Sequence, residues 1–166
     1  MSKYTKLPDI HNVKTVKYLE QLVEEVEILL KQKCYISALN NTMILLDSMT
    51  KSNNYPYKNL KESERFKNFC DNVLNTKNEI GLSGEEIYSI RNFMFHEGYI
   101  NINTKHTIIK ELNFYINTGI VHQNTIYDIG MANIDIMTFI STILEFFKNN
   151  KNNFSDLEMS KITIIK

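Results

Sequence analysis

Apolar residues recur every three or four positions over most of the chain, which is the period of helices that bury one face. This spacing predicts helices at about 14–33, 34–51, 60–74 and 132–148. The first two are separated by almost nothing, so they form either a tight helical hairpin or one bent helix. The run Asn53-Asn54-Tyr55-Pro56 ends the second of them, because asparagine runs and proline disfavour helical backbone.

A further helix is predicted before the last one, and its first turn carries a specific signal. Ser83-Gly84-Glu85-Glu86 has the form of a capping box, in which the Ser83 hydroxyl accepts from the N–H of Glu86 and the Glu86 carboxylate accepts from the N–H of Ser83. The helix is expected to run from Ser83 to His96 or Glu97. It is expected to end at Gly98, since glycine adopts the left-handed conformation without strain.

The pattern changes after Gly98. Leu112, Phe114 and Ile116 alternate with polar or tyrosine residues, 117–119 resembles a turn, and 120–129 supplies a returning strand. The fold class predicted from these patterns is therefore mainly α: a bundle of four to five helices with a small β-hairpin insertion, at about 108–129, before the last long helix.

The same patterns divide the chain into a leader over 1–13, a helical domain over 14–148, and a linker and C-terminal tail over 149–166. The Lys- and Asn-rich residues 148–153 are interpreted as a solvated linker. The final Lys161–Lys166 is interpreted as either a short edge strand or a frayed tail.

Composition narrows the class of protein. The chain has 166 residues, of which 43% are hydrophobic, enough for one folded domain. It lacks an apolar run long enough to cross a membrane and a secretory signal, and its two cysteines, Cys34 and Cys70, form neither a disulfide scaffold nor a zinc site. These features predict a cytoplasmic protein without membrane contact.

Charge excludes one way of binding nucleic acid. The 19 basic and 19 acidic side chains cancel, whereas proteins that coat nucleic acid carry a positive excess. A nucleic-acid site must therefore be local, and it is expected to be completed by a second subunit. Glycine-rich phosphate loops, metal-binding motifs and nucleophile elbows are absent from the sequence, so no cofactor and no metal are predicted. We interpret His11, His106 and His122 as ordinary surface histidines.

Candidate chemistry lies at the end of the helix that begins at Ser83. Arg91 falls inside or beside its apolar stripe, where a guanidinium needs a carboxylate, backbone carbonyls or an anionic ligand. Asn92 and His96 are spaced i and i+4, and His96 lies in the last turn, where the helix dipole favours the imidazolium.

Arg91, Asn92 and His96 together offer an anion clamp, an orienting amide and a general acid/base. RNA cleavage by its own 2′-hydroxyl requires such a set and no metal. An ideal helix places Arg91 and His96 about 140° apart, which makes an awkward site on one helix. Two such helices facing across a two-fold axis would supply both groups to one cleft, which favours a homodimer.

The segment Arg91-Asn92-Phe93-Met94-Phe95-His96 resembles the R-x4-6-H motif of HEPN domains (higher eukaryotes and prokaryotes nucleotide-binding), including the polar residue that often follows the arginine. The paired helices before it, with Ala38-Leu39 and Leu45-Leu46-Asp47, and the ending His96-Glu97-Gly98 are also similar to that family. The resemblance covers about residues 14–148.

The resemblance implies a helical bundle that dimerises through the motif helices and cleaves RNA without a metal, commonly in toxin–antitoxin or phage-defence systems. Arg91 and His96 would be catalytic, with Asn92 in support. One toxin branch extends the motif to R-x4-H-x-Y, and its tyrosine is modified by the partner antitoxin. Here that position is Gly98, and Tyr99 follows one residue later.

Structural alternatives remain open for each candidate. Arg91 can be a buried arginine paired with an acid such as Asp47, and His96 can be a C-terminal cap of its helix. The 55–57 loop can stack on bases or be a turn packed on the bundle. The alternative function is therefore a non-catalytic helical module that dimerises or binds RNA or protein.

Overall fold

The computed structural model describes residues 13–75, 80–97, 111–116, 125–127, 131–157 and 161–165. Within these residues the five α-helices are α1 (Tyr18–Lys31), α2 (Tyr35–Met49), α3 (Glu62–Phe69), α4 (Gly84–Asn92) and α5 (Ile136–Asn149). Three shorter helical segments extend them: π-helical turns at Cys70–Leu74 and Phe93–Glu97, and a 3-10 helix at Lys151–Leu157. The prediction of a mainly α bundle is confirmed.

Five short strands accompany the helices: β1 (Val13–Lys17), β2 (Glu111–Tyr115), β3 (Thr125–Tyr127), β4 (Met131–Asp135) and β5 (Lys161–Ile165). A small sheet directly before α5 was predicted and is confirmed. Its pairing differs from a simple hairpin, because β2 pairs in parallel with β4 and β3 pairs antiparallel with β4. Alternation along a strand marks its two faces but does not choose its partner. The expected turn at 117–119 and the stop at Gly98 lie outside the described residues.

Two helix boundaries differ from the prediction. α1 begins at Tyr18 rather than at Lys14, because Val13–Lys17 form β1 and pair antiparallel with β5. α5 begins at Ile136 rather than at Ala132. The Asp135 carboxylate caps it by accepting from the backbone N–H groups of Met137 and Thr138 at 3.0 and 3.1 Å. The C-terminal residues that were predicted as either an edge strand or a frayed tail form the strand β5.

A Schellman turn joins α1 to α2 as a tight hairpin, which decides between the two predicted arrangements. The N–H of Cys34 donates to the carbonyl of Leu29 at 2.8 Å, and the N–H of Lys33 donates to that of Leu30 at 3.0 Å. Lys33 takes φ 60°, in the left-handed region that favours glycine.

The hydrophobic core lies between the five helices. Its largest fully buried side chains include four phenylalanines, Phe66, Phe69, Phe139 and Phe154. Phe154 belongs to the 3-10 helix after α5, and its ring stacks on Phe147 with centroids 5.7 Å apart. The segment predicted as a linker is therefore docked on the bundle, because a buried aromatic ring holds it there.

Polar contacts between the 3-10 helix and the loop after α2 form what we call the clasp, made by Ser52, Asn53, Asn153 and Asp156. The buried Ser52 hydroxyl lies 2.8 Å from both the carbonyl oxygen of Asn153 and a carboxylate oxygen of Asp156. The backbone N–H of Asn53 donates to the second Asp156 oxygen at 2.6 Å. The clasp thus ties residues about one hundred positions apart. None of the helices in the described residues is long and apolar enough to span a bilayer.

Candidate functional site

The helix that carries the motif is fixed at its first turn by two kinds of contact. The predicted capping box is present: the Ser83 hydroxyl accepts from the Glu86 N–H at 3.3 Å, and the Glu86 carboxylate accepts from the Ser83 N–H at 2.7 Å. The N–H of Gly84 also donates to the Asp71 carboxylate at 2.5 Å. A Cβ at Gly84 would lie only 2.3 Å from the carbonyl oxygen of Lys67, so α4 starts directly against α3.

Arg91 lies in the last turn of α4 and reaches across to two other helices. Its Nη2 lies 3.3 Å from a carboxylate oxygen of Asp47 on α2 and 2.8 Å from one of Glu62 at the start of α3. Its Nη1 donates to the side-chain oxygen of Asn92 at 3.0 Å. The guanidinium therefore joins three helices, with its side chain only 12% exposed.

Two aromatic rings flank the guanidinium carbon. The ring centroid of Tyr88 lies 5.7 Å from it and that of Phe95 lies 5.6 Å from it. At such distances the quadrupole of each ring attracts the cation. The rings also restrict the directions from which another molecule can approach Arg91.

The carboxylates around Arg91 differ in exposure and in their other partners. The Asp47 side chain is 16% exposed, and its second oxygen lies 2.8 Å from Nζ of Lys51. The Glu62 side chain is 56% exposed. Among the described side chains, the charges of Arg91, Lys51, Asp47 and Glu62 cancel and form an ion network in which Glu62 is the more exposed carboxylate.

The structure brings two of the three predicted site residues together. Arg91 and Asn92 are in contact, and the Arg91–Asp47 pair is the one named in the structural alternative. His96 lies in the π-helical turn Phe93–Glu97, but its side chain and that of Glu97 lie outside the part of the chain described in full.

The backbone between Arg91 and His96 is not an ideal α-helix. A π-helical turn bonds residues five apart rather than four, and such turns often occur at functional sites. Arg91 and His96 are five residues apart, and the turn covers Phe93–Glu97. Compared with a regular helix, the wider turn reduces the angle of about 140° that separates the two positions around the helix axis.

Glu62 is the contact that the sequence did not reveal. It is an ordinary glutamate near the start of an amphipathic helix, and its sequence neighbourhood contains no signal that links it to a residue on α4. Only the antiparallel packing of α3 on α4, fixed by Phe66 against Tyr88 at 5.5 Å, brings it to Arg91.

The loop at 55–57 was the other candidate for contact with bases. Tyr55 packs edge-on against Phe69 at 5.1 Å and in a tilted arrangement against Phe154 at 5.8 Å, as expected for a turn packed on the bundle. Among the described residues, no cluster of three His, Cys, Asp or Glu side chains is arranged to hold a metal ion. Comparison of the chain with protein-family models, with curated proteins and with solved structures gives no match.

Proposed function

We propose that this chain is a metal-independent endoribonuclease of the HEPN type that acts as a homodimer through its motif helices. The observation that carries the proposal is the Arg91–Asn92 pair on α4 followed by a π-helical turn that contains His96. These are the residue types that phosphodiester cleavage by an internal hydroxyl requires.

In the proposed reaction, His96 accepts the proton of the ribose 2′-hydroxyl. The 2′-oxygen attacks the adjacent phosphorus, and the bond to the 5′-oxygen of the next nucleotide breaks. That oxygen leaves with a proton returned by a histidine, while Arg91 stabilises the charge on the phosphate. The products are a 2′,3′-cyclic phosphate and a 5′-hydroxyl.

Phosphate must compete with carboxylates for Arg91, and Glu62 is the one that it would displace. Glu62 is 56% exposed, and ion pairs at the surface contribute only about 0–1 kcal/mol. Asp47 keeps Lys51 as a second partner, so it remains compensated when Arg91 turns toward RNA. Glu62 therefore occupies the guanidinium of Arg91 in the absence of RNA and is replaced by phosphate when RNA binds.

The direct test is RNA cleavage in EDTA by the wild type and by His96→Ala and Arg91→Ala, with His122→Ala as a histidine control outside the motif. We expect the wild type and His122→Ala to cleave and the two motif variants to lose at least about a hundredfold in rate, the usual contribution of a general acid/base. Cleavage that requires a divalent ion, or equal cleavage by His96→Ala, would refute the mechanism.

Mixing two inactive variants tests the shared site. If each cleft takes Arg91 from one subunit and His96 from the other, a dimer of Arg91→Ala with His96→Ala contains one intact cleft. Random mixing should then restore about a quarter of the wild-type activity, because half of the dimers are mixed and each has one of two clefts. No rescue in a mixture shown to exchange subunits would contradict the two-fold arrangement.

The proposed setting is a toxin–antitoxin or phage-defence system in the cytoplasm, with a possible antitoxin protein as the partner. We do not propose that this partner modifies the chain by nucleotidylation. The toxin branch has its target tyrosine at the position that Gly98 occupies here, and Tyr99 lies one residue later. Co-purification with the product of a neighbouring gene is the measurement that addresses the partner.

A second candidate function is supported by the ion network around Arg91. A guanidinium that is 12% exposed and bound to two carboxylates fits a structural arginine in a non-catalytic dimerisation or binding module. In that case Arg91→Met lowers the free energy of unfolding by about 1–3 kcal/mol, and no variant cuts RNA. Glu62→Gln separates the candidates, because uncovering Arg91 should speed cleavage in the nuclease and leave the module without activity.

A further inference from the structure

A polar groove of about 610 Å³ lies between the end of α3 with its π-helical turn, the end of α5 and the clasp, and neither Arg91 nor Asn92 is among the described residues that line it. Its walls include Tyr55 and Phe146, the aliphatic side chains of Val73 and Leu74, and several asparagines. The proposed nuclease function uses none of these residues.

The side-chain carbonyl oxygens of three asparagines in this groove accept no hydrogen bond from the described residues. The side-chain amides of Asn72 and Asn150 donate to the backbone carbonyls of Asn68 and Phe146, at 3.1 and 2.9 Å. The amide of Asn153 donates to the hydroxyl of Tyr55 at 3.5 Å. Each amide nitrogen thus uses one of its two N–H groups within the chain, while the side-chain carbonyl oxygens keep their lone pairs for a ligand that donates hydrogen bonds.

The charge of the groove favours a cation. Glu145 lines it and has neither a hydrogen bond nor an ion pair among the described residues, and none of the lining residues there is Lys or Arg. The C-terminal ends of α5 and of the turn that extends α3 also meet at this groove, through Asn149 and Leu74. The negative end of a helix dipole attracts cations.

The apolar surface in the groove adds a requirement on the shape of the ligand. Val73 and the mostly buried Leu74 contribute aliphatic surface to the lining, and the rings of Tyr55 and Phe146 can contact an ammonium or a methylene chain. We propose that this groove binds an aliphatic polyamine, with its ammonium groups at Glu145 and the asparagine oxygens and its methylene chain along Val73 and Leu74.

The test is calorimetric titration of the full chain with spermidine at low ionic strength. Glu145→Lys places a cation inside the groove, and Glu64→Lys makes the same charge change at an exposed glutamate of α3 that does not line it. We expect saturable binding by the wild type and by Glu64→Lys. Glu145→Lys should lose saturable binding, and Glu145→Gln should bind up to about fivefold more weakly, as for an exposed charge pair.

A variant that binds spermidine more tightly provides a further test, because misfolding would weaken binding and not strengthen it. Thr142 also lines the groove, and Thr142→Asp adds a second carboxylate to its wall. Spermidine should bind this variant up to about fivefold more tightly. Absence of saturable binding in the wild type, equal weakening by Glu145→Lys and Glu64→Lys, or unchanged affinity in Thr142→Asp would overturn the proposal.

Discussion

Arg91 shows why the guanidinium at this position differs from the lysines that dominate the basic residues of the chain. Its two terminal nitrogens contact Asp47, Glu62 and Asn92 at once, and the centroids of two aromatic rings lie within about 6 Å of its guanidinium carbon. A lysine ammonium is a single point of charge and cannot hold this planar arrangement. The same planarity suits a phosphate, so both candidate functions require arginine here.

The two cysteines occupy contrasting surroundings, which gives a prediction at the scale of single residues. Burial raises the pKa of the Cys70 thiol well above its ordinary value, and the nearby charge of Asp71 raises that pKa further. Cys34 is exposed at the hairpin between α1 and α2. Since the thiolate is the reactive form, a disulfide reagent at pH 8 should modify one thiol rapidly in the folded protein and the second only on unfolding.

Cys34→Ser is the matched variant for this measurement. The folded variant should show no rapid reaction and should release one thiol equivalent in denaturant. The raised pKa of Cys70 favours the protonated thiol in the folded state. Its contribution to the free energy of unfolding is therefore fully present below the pKa of the unfolded state, and it declines as the pH rises above that value. Rapid labelling of Cys34→Ser in native buffer would show that Cys70 is not enclosed.

At the scale of elements, the sequence was most informative where contacts are local. The apolar period located five helices, and the Ser83 capping box has both of its hydrogen bonds. Residues 14–17 and 132–135 were predicted as helical because each segment continues the apolar spacing of the helix after it, whereas they belong to β1 and β4. β1 pairs with the distant β5, and β4 pairs with β2 and with β3, which lies directly before it; the apolar spacing alone displays none of these partners.

The candidate site shows the same division between local and distant information. Asp47 could be named as a partner of Arg91, because a carboxylate within an apolar run must find a cation when it is buried. Glu62 could not be named as a partner, because water can solvate an exposed glutamate at the start of a helix and no cation is then required. The Arg91–Asn92 contact is between neighbours in sequence, whereas the ion network spans α2, α3 and α4.

The turn between α1 and α2 gives a prediction about one element. Lys33 holds a left-handed conformation that costs a residue with a Cβ about 1–2 kcal/mol. Lys33→Gly should therefore raise the free energy of unfolding by about 1 kcal/mol, as measured by urea denaturation. Lys31→Gly removes the same charge from the last turn of α1 and should lower it by about 1 kcal/mol. Equal effects of the two substitutions would be inconsistent with the observed turn.

At the scale of the whole molecule, the clasp and the β1–β5 pair bring the end of the described chain back to earlier elements. Desolvation raises the pKa of Asp156, but hydrogen bonds from the N–H of Asn53 and the hydroxyl of Ser52 outweigh it and lower that pKa below its ordinary value. A lowered pKa in the folded state stabilises the protein above the unfolded pKa, and this stabilisation is lost as the pH falls through the folded value.

Asp156→Asn should therefore reduce the free energy of unfolding at pH 7 by about 1 kcal/mol, the usual contribution of a hydrogen bond. The difference from the wild type should shrink as the pH falls below about 4, where the wild-type carboxyl also becomes neutral. Urea denaturation at several pH values measures this. Glu64→Gln, at an exposed carboxylate, serves as the control and should show no such trend. A difference that stays constant down to pH 2 would contradict the clasp.

The pairing of β1 with β5 places two distant parts of the chain side by side, which is the condition for circular permutation. Val13 and Ile165 are direct partners in antiparallel register, so in a variant that lacks residues 1–12 and Lys166 a few added residues could join them. A circular permutant opened in the exposed loop around Lys58 and Asn59 would then keep the intervening elements with their present neighbours. We expect such a permutant to keep the arrangement of its helices and strands although its termini lie at a different place in the chain.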